Sequence, residues 1–484
     1  MASPNVLVIM SDEHNPKVAG YEGHAVISTP NLDRLASGGT RFDGCYTTSP
    51  VCIPARAGFA CGKYIHQIGF WDNADAYDGS VRSWHHELRD RGHRVVSIGK
   101  LHFRLPGEDH GFSEEQVPMH IIDGKGDLMG LVREDLPRRG GAKKMAAMAG
   151  PGESAYTLYD REIAARAQVW LREQGRRDDG KGWVLFVSFV APHFPLTAPP
   201  EHYYRYYNRD LPLPKLYARE HRPRHPYLDD YRNSFCYDDY FETEDEVKRA
   251  LSGYFGLVSQ LDEHIGKILH ALEDAGLAGT TRVMYTSDHG DNLGSRGLWG
   301  KSTMYEEIAR VPCLLSGPGI PAGVRVPDPV SHVDAYPTIL ESAGLRFASV
   351  RDTHPGFDLA GIANGARPAR TVLSEYHGMG STTGAFMIRH GRYKYVHYVK
   401  YPPQLFDLEA DPEEIRDLAQ DPASAGVLAE CRRRLEALCD PAEVDRRAKA
   451  RQAELLAANG GREAVIARGD LGFTPAPGVA ADFQ

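Results

Sequence analysis

Four nearly continuous apolar runs punctuate the 484-residue chain: NVLVIM (Asn5 to Met10), RVVSIG (Arg94 to Gly99), WVLFVSFV (Trp183 to Val190) and TRVMYTSD (Thr281 to Asp288). A strand that is apolar at successive positions has no face for water. These runs therefore predict a large, mostly parallel sheet covered by helices on both sides, as in α/β folds. Between the last two runs, Tyr254, Leu257, Leu261, Ile265, Ile268 and Leu272 recur at three- and four-residue steps and predict an amphipathic helix. Gly276 follows it as a C-terminal cap would. Alternation of this kind places functional loops at the carboxyl ends of the strands.

The pattern lapses from about Pro199 to Glu244. This stretch is rich in Tyr, Arg, His, Pro and Asp and reads as a long surface excursion, lining a cleft or an oligomer contact. It changes again near Pro368. TVLSEYH, AFMIRHGRYKYVHYV and QLFDLEADPEE predict antiparallel strands with a glycine-containing hairpin. A helix over about Ala423 to Leu438, a charged helical stretch and a loose tail follow. The division expected is a main domain over 1–367 and a smaller α+β subdomain, an antiparallel sheet plus helix, over 368–484.

Composition narrows the function. Lys and Arg total 56 against 65 acidic residues, a formal charge of -9, which argues against a nucleic-acid-binding protein. The seven cysteines are scattered and form no CxxC pair, so neither a zinc ribbon nor a disulfide framework is expected, and reduced thiols in a bacterial cytoplasm are. The apolar run at Val6 to Met10 is too short for a signal-peptide core, and no stretch reaches the roughly 18 apolar residues of a membrane span.

Each apolar run ends in ionisable residues: Asp12-Glu13-His14, Lys100-Leu101-His102, His193, and Asp288-His289. Asp12, Glu13, Asp288 and His289 make a candidate metal site. Carboxylates suit Ca²⁺ or Mg²⁺, and an imidazole moves the preference toward Mn²⁺. Taken singly, an acid after a strand serves equally to cap the next helix. Lys100, His102, His193 and Lys301 supply the cationic and proton-donating groups that a multiply charged oxyanion and a poor leaving group require. Cys52 is mismatched to a hard cation, because thiolates prefer soft metals. It is either a packed bystander or not a thiol in the working protein.

The motifs CIPAR (Cys52 to Arg56), STPNLDRLASGGTRF (Ser28 to Phe42), GKLHF (Gly99 to Phe103), APHFP (Ala191 to Pro195) and TSDHGDNLGSRGLWGKSTMYEEIARVP (Thr286 to Pro312) occur in this order. Together they resemble the sulfatase family of the alkaline-phosphatase superfamily, whose Cys-x-Pro-x-Arg cysteine is oxidised after translation to formylglycine. The resemblance implies an alkaline-phosphatase-like fold and a hydrated aldehyde at position 52, a hard oxygen ligand and nucleophile where a thiol is neither. It further implies metal ligands at Asp12, Glu13, residue 52, Asp288 and His289, with Ca²⁺ first and Mn²⁺ or Mg²⁺ as alternatives. Arg56 and Lys100 would hold the diol and sulfate. His193 and Lys301 would bind sulfate and assist departure of the alcohol. His102 would be the base of the second step, and Asn73 would touch the sulfate or diol. Two positions depart from the common family pattern: Glu13 stands where many members have a second aspartate, and His289 where many have asparagine.

The implied reaction is hydrolysis of a small aryl or alkyl, choline-like sulfate ester. Phosphonate monoester or phosphodiester hydrolysis is the alternative, although members with that main activity tend to lack the Lys-x-His pair that Lys100 and His102 supply. A non-catalytic binding protein on the same fold would need losses in the motif set, and there are none. For a quaternary ammonium substrate, Trp71, Tyr376 and the tyrosine-rich excursion are candidates for an aromatic cage. A formylglycine-generating enzyme during maturation and a homodimer or homotetramer are the expected partners, with no nucleic acid and no membrane.

Overall fold

The computed structural model describes residues 5–173, 181–347, 353–368 and 370–483. The main sheet has eight strands: Asn5–Asp12 (β1), Gly39–Phe42 (β2), Val95–Lys100 (β3), Glu114–Met119 (β4), Val184–Pro192 (β5), Thr281–Ser287 (β6), Cys313–Ser316 (β7) and Val324–Val326 (β8). Their spatial order is β8-β2-β7-β6-β1-β5-β3-β4. Only β7 runs against the others, so the sheet is mixed and mostly parallel. Every position of β3 and β5, and all of β1 but its first residue, is buried. The uninterrupted apolar runs are thus the central strands.

Helices cover both faces. They include Cys52–Cys61 (α1), Ala155–Glu173 (α2), Pro200–Tyr207 (α3), Pro226–Phe235 (α4) and Glu244–Asp274 (α5). The last is the amphipathic helix expected from Tyr254 to Leu272, started by a Thr243–Glu246 capping box. Past its end, the Gly276 N–H bonds the Glu273 carbonyl and the Leu277 N–H bonds the Leu272 carbonyl. Gly276 has φ +72°, the left-handed turn that this pairing needs.

The excursion from Pro199 to Glu244 is not a bare loop. It carries α3 and α4, each with proline in its first turn. Tyr203, Tyr206, Tyr227, Tyr231 and Phe235 recur at helical spacing and are buried in one cluster with Tyr254 and Phe255 of α5. An aromatic ring buries enough surface to substitute for an aliphatic stripe, which is why a reading by aliphatic periodicity passes over it.

Strands Val372–Tyr376 (β9), Ala385–His390 (β10), Tyr393–Tyr398 (β11) and Gln404–Asp407 (β12) form the second, antiparallel sheet in sequential order. Leu373, Phe386 and Tyr395 pack on one face against Cys431 and Leu435 of Ala425–Glu436 (α6) and Val444 of Pro441–Ala458 (α7). Met387, Val396 and Phe406 face the core that holds α4 and α5. A last helix, Gly461–Arg468 (α8), precedes the terminal segment. Residues 469–483 have no helix or strand, yet they are not a loose tail: Asp470, Leu471, Thr474 and Ala476 are buried. Among the described residues no helix is long and apolar enough to cross a membrane.

Candidate active site

The strand order brings the ionisable ends together. Strands β6, β1, β5 and β3 are successive neighbours, so Asp288, Asp12, His193 and Lys100 collect along one edge. Cys52 reaches this edge from the first turn of α1, whose ten residues are all buried. Its Sγ lies 3.1 Å from His289 Nε2, 3.2 Å from Lys301 Nζ and 3.6 Å from Asp12 Oδ1. Burial first, and then Asp12, pushes its thiol up to about 12, against the pull of Lys301 and Lys100. At neutral pH this group is an uncharged thiol, a poor nucleophile.

Asp12, Cys52, Asp288 and His289 each offer a donor atom within 4.8 Å of the others, and all four are buried. Each carboxylate turns its other oxygen toward a cationic side chain. Asp288 Oδ2 accepts from Arg56 Nε at 2.8 Å, and Asp12 Oδ2 meets Lys100 Nζ and, at 3.4 Å, Arg56. His289 Nδ1–H donates to the Gly290 carbonyl at 2.9 Å, which leaves the Nε2 lone pair facing the cluster. Burial opposes ionisation of Asp12, but the charges of Lys100, Arg56 and Lys301 hold it well below the usual carboxylate range. Two carboxylate oxygens and an imidazole nitrogen fit Ca²⁺, Mg²⁺ or Mn²⁺, while a neutral thiol is the misfit of the four. Gly290 keeps the loop tight: a Cβ there would sit 2.0 Å from the Glu307 carbonyl oxygen.

In front of this cluster opens a cavity of about 720 Å³, including its mouth. Of the residues expected in the site, Glu13, Cys52, Asn73, His102, His193 and Lys301 line it. Arg56 and Lys100 stand behind the carboxylates instead. Arg56 also donates to the Lys100 carbonyl at 2.9 Å and to Ser188 Oγ at 2.8 Å, so most of its hydrogens are already engaged. Asn73 accepts the Ile53 N–H through Oδ1 at 3.2 Å, anchoring the start of α1. Glu13 lies beyond the four-donor cluster, grouped with Asp12 and His193. Neither ring nitrogen of His102 has a protein partner. Burial first, and then Lys100 and Arg56, keeps its imidazole neutral at pH 7. His193 is likewise held neutral, by burial and by Lys301, with Nδ1–H on the Phe194 carbonyl at 2.6 Å and Nε2 accepting from Lys301 Nζ at 2.8 Å.

Two buried acids behind the cavity wall hold its loops in place. Asp160 of α2 accepts the N–H groups of Val190 and Ala191, both at 2.9 Å, and so fixes the strand end that delivers His193. Asp291 Oδ1 accepts the Leu293 and Gly300 N–H groups at 2.7 and 3.0 Å, folding the loop that delivers Lys301. The outer wall is apolar, with Met145, Phe194, Phe235, Tyr237, Met379 and Phe473. Also lining the cavity, Arg139 bonds Asp127 at 2.8 Å and Asp470 at 2.6 Å. Two carboxylates against one guanidinium give that trio a net negative charge. The excursion does line the cleft, through Tyr231, Phe235 and Tyr237. Trp71 and Tyr376 do not: Trp71 packs edge-on to His377, and the Tyr376 hydroxyl bonds the Met379 carbonyl.

Cations and neutral imidazoles gathered around one helix N-terminus, at the strand ends of an α/β sheet, define a hydrolase for anionic esters. Comparison makes the class definite. The sulfatase family profile matches residues 4–345, and one described as N-sulphoglucosamine sulphohydrolase, C-terminal, matches 294–440. The chain belongs to the sulfatase family and is a sulfuric ester hydrolase. Choline-sulfatase of Rhizobium meliloti (strain 1021) is 34% identical over 426 residues, covering 87% of this chain and 83% of that protein. Arylsulfatase K of Homo sapiens is 27% identical over 443 residues, covering 86% and 79%. The phosphonate monoester hydrolase of Agrobacterium radiobacter superposes with a TM-score of 0.72 at 23% identity over 90% of this chain and 95% of that one. An enzyme solved in complex with its substrate D-glucosamine-2-N,6-O-disulfate superposes with a TM-score of 0.71 at 22% identity over 93% and 98%. At this identity the two structures speak for the fold, which is the alkaline-phosphatase-like one.

Proposed function

We propose that this sulfatase acts on sulfate monoesters of small alcohols bearing a quaternary ammonium group, choline sulfate first, through a formylglycine at position 52. The observation that carries the substrate class is the cavity itself: aromatic walls and a trio of net negative charge lie on the walls of the same cavity as residue 52. A quaternary ammonium ion is held by aromatic faces and by negative charge.

The nucleophile follows from the thiol's state. Hydrated formylglycine offers two hydroxyl oxygens where the neutral Sγ stands, and one of them attacks sulfur. Cys52 is 1% exposed, so conversion by a formylglycine-generating enzyme precedes folding. Asp12, Asp288, His289 and residue 52 would hold a divalent cation, whose charge would favour ionisation of a hydroxyl at residue 52. Lys301 directs its ammonium at the sulfate oxygens and, with His193, delivers the proton taken by the alcohol oxygen as the O–S bond breaks. His102, neutral and unengaged, removes the proton of the second hydroxyl as sulfate leaves. The net change is addition of one water, giving alcohol and sulfate. All seven cysteines are free, which supports a reducing, cytoplasmic setting.

The test compares kcat/KM for choline sulfate, 4-nitrophenyl sulfate and an aryl phosphonate monoester. Choline sulfate is expected to lead. A lead for the aryl sulfate moves the alcohol to the aromatic class, and a lead for the phosphonate overturns the sulfate preference. The charged trio has its own test. Asp470→Asn is expected to raise KM for choline sulfate about 10-fold, near 1.4 kcal/mol, and to leave that for the aryl ester, whose alcohol part carries no cation, within about 2-fold. Equal changes for both esters would show that the trio only holds the wall together.

A further inference from the structure

We propose that Phe473 is a specificity-determining residue that sets the size of the alcohol this site accepts. The inference deepens the reading above and rests on one part of it, that His193 stands on the side where the alcohol departs.

The Phe473 ring closes a circle of four around that histidine. His193 stacks on Phe194 with centroids 4.7 Å apart, Phe194 meets Phe473 edge-on at 5.4 Å, Phe473 meets Tyr156 edge-on at 5.4 Å, and Tyr156 returns to His193 at 6.0 Å. Stacked and edge-on contacts at such separations are favourable, so each ring limits the movement of the next. His193, Phe194 and Phe473 line the cavity, whereas Tyr156 is buried behind them. Phe473 itself is half-buried, which leaves part of its ring to meet a ligand.

Local bonds explain how a segment without helix or strand can serve as a wall. Asp470 accepts the Gly141 N–H at 3.0 Å and the Gly472 N–H at 3.3 Å, and the Phe473 N–H bonds the Leu471 carbonyl at 2.8 Å. Gly472 has φ +70°, and a Cβ there would press on Lys144 Cδ at 3.3 Å, so a glycine turns the chain just before the ring enters the cavity. Beyond the ring, the Tyr156 hydroxyl bonds the Thr474 carbonyl and Lys144 Nζ pairs with Asp482 at 3.0 Å. Tyr156 therefore holds the segment twice, by its ring and by its hydroxyl.

An alcohol whose oxygen meets His193 shares the cavity with this wall. A compact quaternary ammonium can lie against an aromatic face. A fused-ring alcohol runs into it, and a clash built into a pocket discriminates as well as a lost contact does.

The experiment compares the full-length enzyme with Phe473→Ala and Phe473→Trp on 4-nitrophenyl sulfate and 4-methylumbelliferyl sulfate. The two phenols leave with similar ease, so the ratio of their kcat/KM values reads size. Phe473→Ala is expected to raise the fused-ring to single-ring ratio about 10-fold, and Phe473→Trp, which enlarges the wall without emptying it, to lower the ratio about 3-fold or more. Urea unfolding establishes that each variant is folded. A ratio within about 2-fold of the parent in the tryptophan variant, or equal losses on both esters in a folded alanine variant, overturns the proposal. Neither phenol carries a cation, so the ratio decides the role of Phe473 whether or not choline sulfate is the preferred substrate. Should the parent turn over neither aryl ester, the same ratio is read from their inhibition constants against choline sulfate, with the same outcomes deciding.

Discussion

Cys52→Ala abolishes sulfate-ester turnover, lowering kcat/KM by about 10⁴-fold or more, because it removes the nucleophile and not an accessory group. The fold survives the change. Alanine fits the first turn of α1, and only the atoms beyond Cβ are lost, so the unfolding free energy from urea titration changes by no more than about 1 kcal/mol. Cation affinity falls as well, since residue 52 is one of four converging donors. Kinetics and urea titration on the same preparation separate these effects. Activity retained within about 10-fold of the parent would remove residue 52 from the chemistry.

The second large effect is on stability. Arg56 ties four groups together: Asp288, Asp12, the Lys100 carbonyl and Ser188. Its side chain and both carboxylates are almost wholly buried. Arg56→Ala leaves two buried carboxylates facing a void and is expected to destabilise the protein by about 3–5 kcal/mol. Saturating Ca²⁺ restores part of the loss, because a ligand that binds only the folded state stabilises it by mass action. Arg56→Lys recovers little, since an ammonium cannot reach all four partners from one rigid fork. Urea unfolding with Ca²⁺ and with chelator measures both effects, and a lysine variant as stable as the parent would contradict this account of the clamp.

The parts of the site legible in the sequence were those encoded locally. Asp12, Lys100, His193 and Asp288 stand at the ends of apolar runs, and parallel strands must put such ends on one edge. The helix from Tyr254 to Leu272 and its glycine stop were legible for the same reason. Cys52 was different. Spacing left it open between bystander and something other than a thiol, and only the likeness of CIPAR to the sulfatase motif gave it a role.

What escaped is long-range. Arg139 meets Asp470 across 331 residues, and the terminal segment around Leu471 and Phe473, which reads as a loose tail, forms part of the cavity wall. No periodicity announces such a contact. The backbone of Glu13 is held by Asp288 and Tyr254, each more than 200 residues away along the chain. Asp160 and Asp291 act through backbone N–H groups, and no spacing marks an acid that holds a strand end or a turn.

The central claim is that residue 52 works as formylglycine, and one measurement meets it directly. Preparations with different degrees of conversion are digested with trypsin, and the peptide spanning residues 42–56 is weighed. Formylglycine makes it about 18 Da lighter than the cysteine form. The account predicts that choline sulfate turnover rises in proportion to the lighter fraction and extrapolates to zero at none. Full turnover from a preparation containing only the cysteine form would contradict it.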